Sequence, residues 1–281
     1  VSTPIVAPSQ GVHIVVDKEF LGSDTALLVP KTRDGRVLFA VPWLGKVILG
    51  TTDTPRTGLD LEPTALKEEV DFILTESARY LRKAPKAADV KSVWVGLRPL
   101  VKPPEEEGTN SASTQTIRRK NTVLVSGLVT VTGGKWTTYR AMAEDVLAHC
   151  VDNKLVQQRP AGVTVHLPLV GAGLGAAAPL SHAPGLHSYG DEQTHVQQLQ
   201  GQDVELCPGL TEAMVRFAAR FEYAVTVEDM LARRSRLLFL DAQLAAALAP
   251  RVAEILNEET ALPAGLPDFL ALADQYSQLP V

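Results

Sequence analysis

The stretch Val129–Asp145, VTVTGGKWTTYRAMAED, has the residue types of an anion-binding site. A β-branched run leads into Gly133 and Gly134, and Lys135 follows them at the predicted start of a helix. The backbone N–H groups and the dipole at a helix start favour negative charge, so a lysine there is unfavourable unless an anion lies beside it. The pattern therefore predicts an anionic ligand at this junction.

A histidine and an arginine interrupt two otherwise apolar strands. His13 lies within GVHIVV, where alternation places it on one face with Val15 and opposite the other three valine and isoleucine residues. It is either a hydrogen-bonded structural residue or a group that titrates near neutral pH. Arg98 lies within SVWVGLRPLV and shares a face with Trp94 and Gly96. It either pairs with a structural acid or binds a ligand that approaches over Gly96.

A third cation, Arg119, lies in the basic run TIRRKN, and such runs are usually solvated faces. Taken together, the cations and the helix start suit a small phosphorylated or carboxylated substrate beside a cofactor.

Closely spaced strands and a helix must position these residues. The turn signals Asp34-Gly35 and Leu44-Gly45 leave no room for helical crossovers, so the sheet is predicted to be antiparallel. A helix with Pro63 in its first turn follows, with one apolar face that ends near Leu81. The apolar face of this helix consists of Leu66, Val70, Ile73, Leu74, Ser77 and Leu81. The predicted strands are Gly11–Asp17, Thr25–Lys31, Arg36–Trp43, Lys46–Asp53 and Ser92–Val101.

The second half of the chain is predicted to be helical after a linker rich in Gly, Pro, Ala and His, at about residues 160–210. Thr211 can cap one helix, and Thr226 with Asp229 gives a capping-box pattern before MLARRSRLLFL. A third helix runs through DAQLAAALAPRVAEILNEE, where Pro250 is expected to kink or split it. The predicted organisation is α+β over residues 1–160, then a linker and a small all-α domain over residues 161–281.

One motif, GAGLGA at Gly171–Ala176, matches a dinucleotide-binding fingerprint on paper. That loop must open a helix, whereas Pro179, Pro184 and Gly185 prevent one of useful length here. The segment is therefore interpreted as a linker.

The 281 residues include 45% hydrophobic and 21% charged residues, and the formal net charge of −5 favours no general nucleic-acid surface. Cys150 and Cys207 are far apart without a metal-type spacing, so no metal site and no disulfide are expected. No apolar run is long enough to span a membrane, and Pro4, Pro8 and Gly11 interrupt any signal-peptide pattern.

Four segments carry a resemblance to a known family: GVHIVV, PKTRDGRVLFAVPWLGKVILGTTDTP, VWVGLRPLV and GLVTVTGGKWTTYRAMAED. In their order and spacing they resemble the FAD-dependent, quinone-reducing glycerol-3-phosphate dehydrogenases of the D-amino-acid-oxidase fold superfamily. The tail FAARFEYAVTVEDMLARRSRLLFLDAQLAAALAPRVAEIL is similar to the C-terminal helical domain of that family. The resemblance covers nearly the whole chain and implies a C-terminal half, with part of the antiparallel substrate sheet and a flavin-facing helix.

The resemblance also assigns roles. It implies that His13 and Arg98 lie at the reacting substrate and that Arg98, Arg119 and Lys135 bind its phosphate. Around Arg119 this chain, with IRRKN, departs from the family pattern and is about two residues shorter before Ser126-Gly127. Facing the flavin would be Gly133, Gly134, Lys135, Trp136, Thr137 and Thr138. The implied reaction is hydride transfer from C2 of sn-glycerol 3-phosphate to FAD, with His13 as the candidate proton acceptor.

The implied partners are the substrate, a quinone and the N-terminal FAD-binding half that this chain lacks. Without that half, the chain is expected to be inactive. A cytoplasmic location with peripheral contact at the inner face of the membrane, and a homodimer, are further expectations from the family. Alternatives left open are an inactive fragment, a stand-alone binding module, an oxygen-using glycerophosphate oxidase and an amine-oxidising relative.

Overall fold

The computed structural model describes residues 6–33, 35–101, 122–158, 162–172 and 178–280. The chain forms two compact units, each made of several stretches of sequence. Unit 1 comprises the described residues of Val1–Gly11, Asp53–Pro63 and Gly96–Pro168, and unit 2 those of Val12–Thr52, Thr64–Val95 and Leu169–Val281. Because unit 2 combines the first strands with the C-terminal helices, a single cut near residue 160 does not separate the two units.

Unit 2 begins with antiparallel strands, as predicted. Strand β1 (Val6–Asp17) enters it at Val12 and pairs with β4 (Lys46–Gly50), in a register that places His13 opposite Gly50. Strand β4 pairs with β3 (Leu38–Trp43), which pairs with β2 (Leu27–Val29). The predicted turn at Leu44-Gly45 is confirmed: both residues have positive φ, 48° and 82°, as a two-residue hairpin turn requires.

Helix α1 (Lys67–Ser77) packs on this sheet through Val70 and Ile73. It starts four residues after Pro63, so the prediction that Pro63 lies in its first turn is wrong. The start is fixed by Glu69, which is 3% exposed and whose carboxylate accepts hydrogen bonds from the Leu66 N–H and the Thr52 hydroxyl. An acid that satisfies the first N–H groups sets a helix boundary more strongly than a permissive proline.

Strand β6 (Ser92–Val101) is confirmed and pairs with β1. The start of β6 and the residue before it contact the helical part of unit 2: the Ser92 hydroxyl donates to the Leu238 carbonyl at 2.9 Å, and the Ala242 N–H donates to the Lys91 carbonyl at 3.1 Å.

The C-terminal part of unit 2 is mainly helical and encloses its own apolar core. Two of the expected caps are confirmed. The Thr211 hydroxyl accepts from the Met214 N–H, and Thr226 and Asp229 exchange hydrogen bonds of 2.9 and 3.1 Å. Its elements are α3 (Gln193–Gln197), β9 (Glu205–Cys207), β10 (Leu210–Thr211), α4 (Glu212–Phe221), α5 (Leu237–Leu240), α6 (Ala242–Thr260) and α7 (Leu266–Ser277).

Three details of this part differ from the sequence predictions. Pro250 lies inside α6 without splitting it. The expected helix MLARRSRLLFL is instead a π-helical turn followed by α5, with Arg236 between them in a left-handed conformation at φ 60°. Helix α7 and the small β9–β10 ladder had no counterpart in the prediction.

The described part of unit 1 contains short strands and one long helix. Strand β5 (Thr54–Pro55) pairs with the first part of β1. Strands β7 (Thr122–Ser126) and β8 (Leu128–Thr132) form the predicted hairpin, with Gly127 at φ 77° as its turn. Helix α2 (Tyr139–Asp152) follows, and none of its residues is buried. Among the helices that the structure describes, none has the length and apolarity needed to cross a bilayer.

Candidate functional site

The predicted site residues are divided between the two units. His13 belongs to unit 2, whereas Arg98 and the segment Gly133–Thr138 belong to unit 1. Arg119 lies outside the described residues. Each group is therefore described within its own unit.

The imidazole of His13 is held between aromatic rings. It stacks on the indole of Trp94 with ring centroids 4.2 Å apart and an interplanar angle of 20°, and the ring of Phe39 lies 5.7 Å away. Gly50 lies opposite on β4, where an added Cβ would come within 2.7 Å of the His13 Cδ2 atom. The lack of a side chain at Gly50 is therefore what makes room for the imidazole ring.

The stack continues beyond His13 into the helical part of unit 2. Trp94 meets Phe239 of α5 edge-on at 5.5 Å, and Phe239 meets Tyr276 of α7 at 5.7 Å. Aromatic contacts of this geometry stabilise ring orientation beyond simple burial. The buried indole nitrogen of Trp94 has no hydrogen-bond partner among the described residues, so packing alone orients this side chain. The C-terminal helices thus support the histidine through a column of rings.

Arg98 has both features that the sequence offered as alternatives, an acidic partner and open space at Gly96. Its Nη1 lies 3.7 Å from a carboxylate oxygen of Asp53, and its side chain remains 24% exposed. Asp53 also accepts a hydrogen bond from the hydroxyl of Ser9. A Cβ added at Gly96 would meet no heavy atom of the described residues within 4 Å, so there is open space beside the backbone there. Arg98 is therefore an ion-paired guanidinium that solvent still reaches.

The junction at Gly133–Thr138 has the predicted glycine conformations but a different helix start. Gly133 and Gly134 have φ of 75° and 81°, values that favour glycine. Lys135 is exposed and is followed by a single 3-10 turn at Trp136–Thr138, in which the Thr138 N–H and hydroxyl both donate to the Lys135 carbonyl at 3.0 Å. The α-helix then begins at Tyr139, later than predicted.

The other groups that the sequence singled out carry little chemistry. Cys150 and Cys207 are free thiols, and burial raises the pKa of Cys207. No group of metal-ligating side chains is found in the described ranges. Of the GAGLGA segment, the structure describes Gly171 and Ala172, whereas residues 173–177 lie outside the described residues.

Sequence reasoning missed most of the residues that surround the predicted ones. Asp53, Ser9 and Gly11 lie around Arg98, while Trp94 and Phe39 lie around His13. Only Trp94 had a signal, as an aromatic residue in the same strand as Arg98. An acid 45 residues before its partner arginine leaves no local pattern.

Two family models match the chain. One, described as FAD dependent oxidoreductase, covers residues 1–147. The other, described as the C-terminal domain of alpha-glycerophosphate oxidase, covers residues 162–263.

Several curated relatives are glycerol-3-phosphate dehydrogenases. The chain is 36% identical to the mitochondrial enzyme SDP6 of Arabidopsis thaliana, over 91% of this chain and 45% of the relative. It is 38% identical to a probable mitochondrial enzyme of Dictyostelium discoideum, over 90% and 43%, and 37% identical to the mouse mitochondrial enzyme, over 91% and 38%. The chain thus spans less than half the length of these relatives.

A solved structure shows the same fold. The glycerol-3-phosphate dehydrogenase of Bacillus halodurans, complexed with FAD, superposes with a TM-score of 0.74 at 24% identity, over 98% of this chain and 59% of that one. The predicted α+β architecture, a D-amino-acid-oxidase-type antiparallel sheet followed by a helical C-terminal part, is confirmed.

Proposed function

Because the chain belongs to the FAD dependent oxidoreductase family, we propose that it is the substrate-binding half of a glycerol-3-phosphate dehydrogenase. The observation that carries the proposal is the 36–38% identity to such enzymes over nine-tenths of the chain. In this proposal residues 1–160 form the substrate- and flavin-facing part, and residues 161–281 the linker and the helical domain. A flavin-binding half completes the enzyme.

The proposed reaction is the oxidation of sn-glycerol 3-phosphate to dihydroxyacetone phosphate. Bound FAD would supply the acceptor for the hydride from C2 of the substrate. The part of this chain is to bind the phosphate, orient the C2 carbon and accept the proton of the C2 hydroxyl.

Arg98 and Lys135 are the proposed phosphate ligands, with Arg119 as a third. Arg98 suits this role because its planar guanidinium can donate two parallel hydrogen bonds to phosphate oxygens while part of it stays accessible. Lys135 suits it because its side chain is exposed and makes no ion pair with any residue in the described part of unit 1. Two cations match a phosphate dianion better than they match an uncharged polyol.

His13 is the proposed proton acceptor. An imidazole exchanges a proton near neutral pH, and the stack on Trp94 with the clearance at Gly50 restricts its ring to one plane. A general base is most effective when its ring is held in the orientation that the substrate requires.

The segment Gly133–Thr138 fits a flavin ring. Two consecutive glycines in the left-handed region let the backbone approach a flat ligand closely, and the start of α2 lies just beyond them. The positive end of a helix would stabilise negative charge on a bound flavin.

The proposal extends to the electron acceptor and location. The relatives carry mitochondrial names, and we propose a quinone acceptor reached through peripheral contact at the inner face of a membrane. We also propose a homodimer and a cytoplasmic location from which the enzyme reaches that membrane. A second candidate is an oxidase that passes electrons to oxygen, favoured by the match of residues 162–263 to the alpha-glycerophosphate oxidase domain. Oxygen uptake and quinone reduction, measured on one preparation, separate the two.

The test is assembly with a flavin-binding half from a relative. This chain alone should purify colourless, and the mixture should become yellow and reduce dye with sn-glycerol 3-phosphate. Arg98→Ala or Lys135→Ala should lower kcat/KM for this substrate by about 10²-fold, since a charged hydrogen bond is worth roughly 2–3 kcal/mol. Activity with glycerol should barely change. If both variants keep wild-type kinetics with the phosphorylated substrate, the assignment is wrong.

A further inference from the structure

Arg98 rests in a seat formed by three other residues of unit 1, Ser9, Gly11 and Asp53. We propose that these are positioning residues, which hold the guanidinium in the orientation that receives the phosphate of the substrate. The inference rests on the proposed function of Arg98 and adds the residues through which the chain controls it.

The first part of the seat is the ion pair with Asp53. A carboxylate oxygen of Asp53 lies 3.7 Å from Nη1 of Arg98, and the two side chains are only 15% and 24% exposed. Charges that are largely shielded from water interact more strongly than those at the surface. Asp53 is itself held, because it accepts a hydrogen bond from the hydroxyl of Ser9, a residue that is 0% exposed.

The second part is the lack of a side chain at Gly11. A Cβ at this position would lie 2.4, 2.6 and 2.7 Å from the Nη2, Nη1 and Cζ atoms of Arg98. Atoms cannot approach so closely, so the guanidinium can lie against β1 only while residue 11 is glycine. Residue 11 must be glycine because a side chain there would occupy the space that the guanidinium fills.

The backbone around the seat is fixed by strand pairing. Ser9 lies opposite Pro55 and Gln10 opposite Thr54 in the β1–β5 ladder, and the Arg56 N–H donates to the Pro8 carbonyl at 3.0 Å. These contacts hold the segment that bears Ser9 and Gly11 beside the segment that bears Asp53. The seat therefore joins residues that are more than 40 positions apart in the sequence.

The seat matters because a guanidinium is planar and its donors point in fixed directions. Bidentate binding of phosphate needs one edge of the plane to face the ligand. Asp53 engages the group from the Nη1 side and Gly11 allows it to lie flat on the strand, which together limit its rotation. An arginine positioned before the substrate arrives loses less conformational freedom on binding.

The test is a set of double-mutant cycles in the assembled flavoprotein. Asp53→Asn and Gly11→Ala should each lower kcat/KM for sn-glycerol 3-phosphate by about tenfold. In an Arg98→Ala background the same changes should cost less than about twofold, because they act through Arg98. Gly11→Ala is the more specific probe, because the guanidinium with which the new Cβ would clash is absent in Arg98→Ala. Gly58→Ala is the matched control, as its Cβ would meet only an Asp60 carboxylate oxygen at 3.6 Å.

If Asp53→Asn and Gly11→Ala lower kcat/KM equally with and without the Arg98 side chain, these residues do not position Arg98. The role of Arg98 as a phosphate ligand would be unaffected by that result. Unchanged kinetics in Arg98→Ala alone would instead contradict the proposed function. In that case the side-chain ¹⁵N–¹H signal of Arg98 decides about the seat. Its Nε–H exchange with water should accelerate several-fold in Asp53→Asn and Gly11→Ala but not in Gly58→Ala, and an unaltered signal in the first two variants would rule the seat out.

Discussion

The two units differ most in what they do with apolar side chains. Unit 2 buries them in two clusters, which include Ile14, Leu49 and Ile73 around the sheet and Phe217, Met230 and Leu256 among the helices. Unit 1 leaves several large ones in solvent: Leu128 is 78% exposed, Trp136 87% and Leu147 59%.

The difference does not come from composition, because α2 and the β7–β8 hairpin have the apolar patterning of core elements. Monomeric proteins rarely leave apolar surfaces of this kind uncovered. The apolar faces of unit 1 thus suit an additional packing surface, which agrees with curated relatives of which this chain spans less than half. Unit 2 has a self-sufficient core, and it holds His13 through the aromatic column.

The largest expected difference between the units is the loss of unfolding free energy when one apolar side chain is truncated to alanine. Phe217→Ala in α4 removes a ring that is 1% exposed and should lower the free energy of unfolding by about 3–5 kcal/mol. Leu147→Ala in α2 removes a half-exposed side chain and should change it by less than about 0.5 kcal/mol. Urea denaturation of both variants measures the contrast, and equal losses would mean that α2 has a core of its own in solution.

A second effect concerns charge within unit 2. Glu259 accepts hydrogen bonds from Arg216 and Arg220, each at 2.6 Å, and the bond from Arg220, reinforced by Arg216, lowers its pKa. A carboxyl whose folded pKa is depressed stabilises the fold above its unfolded pKa of roughly 4.3, and that contribution disappears as pH falls through the folded value.

Glu259→Gln should therefore cost about 2 kcal/mol at pH 7 and progressively less below about pH 5. Thermal unfolding of both proteins between pH 7 and pH 3 provides the measurement. Asp203→Asn is a suitable control, since its carboxylate is exposed and has no ion pair in the described part of unit 2. A cost that stays constant over this pH range would show that the pKa of Glu259 is not depressed.

Local signals predicted local structure well. The turn at Leu44-Gly45, the Thr211 cap and the Thr226–Asp229 capping box each depend on residues within three or four positions, and all three are present. The expectation that Pro250 could split its helix is wrong, because packing of a long helix can outweigh one missing hydrogen bond. The break at Arg236 was missed because its left-handed backbone has no glycine to signal it.

The site was predicted only in part, because sequence signals are local whereas most contacts of the site are not. His13, Arg98 and Lys135 were recognisable as polar residues in apolar or glycine-rich surroundings and through the family resemblance. Their neighbours were not, because the stack of Trp94 on His13 and the pairing of Asp53 with Arg98 form between distant segments. Such contacts depend on strand order, which periodicity does not encode.

A smaller effect on stability is expected from removing the threonine hydroxyl at a helix start, and it should differ between unit 2 and unit 1. The Thr211 hydroxyl accepts from the Met214 N–H at the start of α4, whereas the Thr138 hydroxyl, at the start of α2, donates to a carbonyl. Thr211→Ala should cost about 1 kcal/mol, because it leaves a helix N–H without its acceptor. Thr138→Ala should cost clearly less by the same denaturation assay. Equal costs would contradict the distinction between the two helix starts.

The smallest expected effect on stability is at Trp136, which is 87% exposed and whose ring meets only that of Tyr139, at 5.7 Å, among the described aromatic residues. Trp136→Ser should change the free energy of unfolding of this chain by less than about 0.5 kcal/mol, since little apolar area is lost from contact. It should nevertheless reduce self-association, which sedimentation velocity can follow, because it removes a large ring from an exposed apolar face. In the assembled flavoprotein the same variant should weaken binding between the halves if that face is covered there. A loss of several kcal/mol in the isolated chain would instead mean that Trp136 is already buried in solution, and that unit 1 closes its own core.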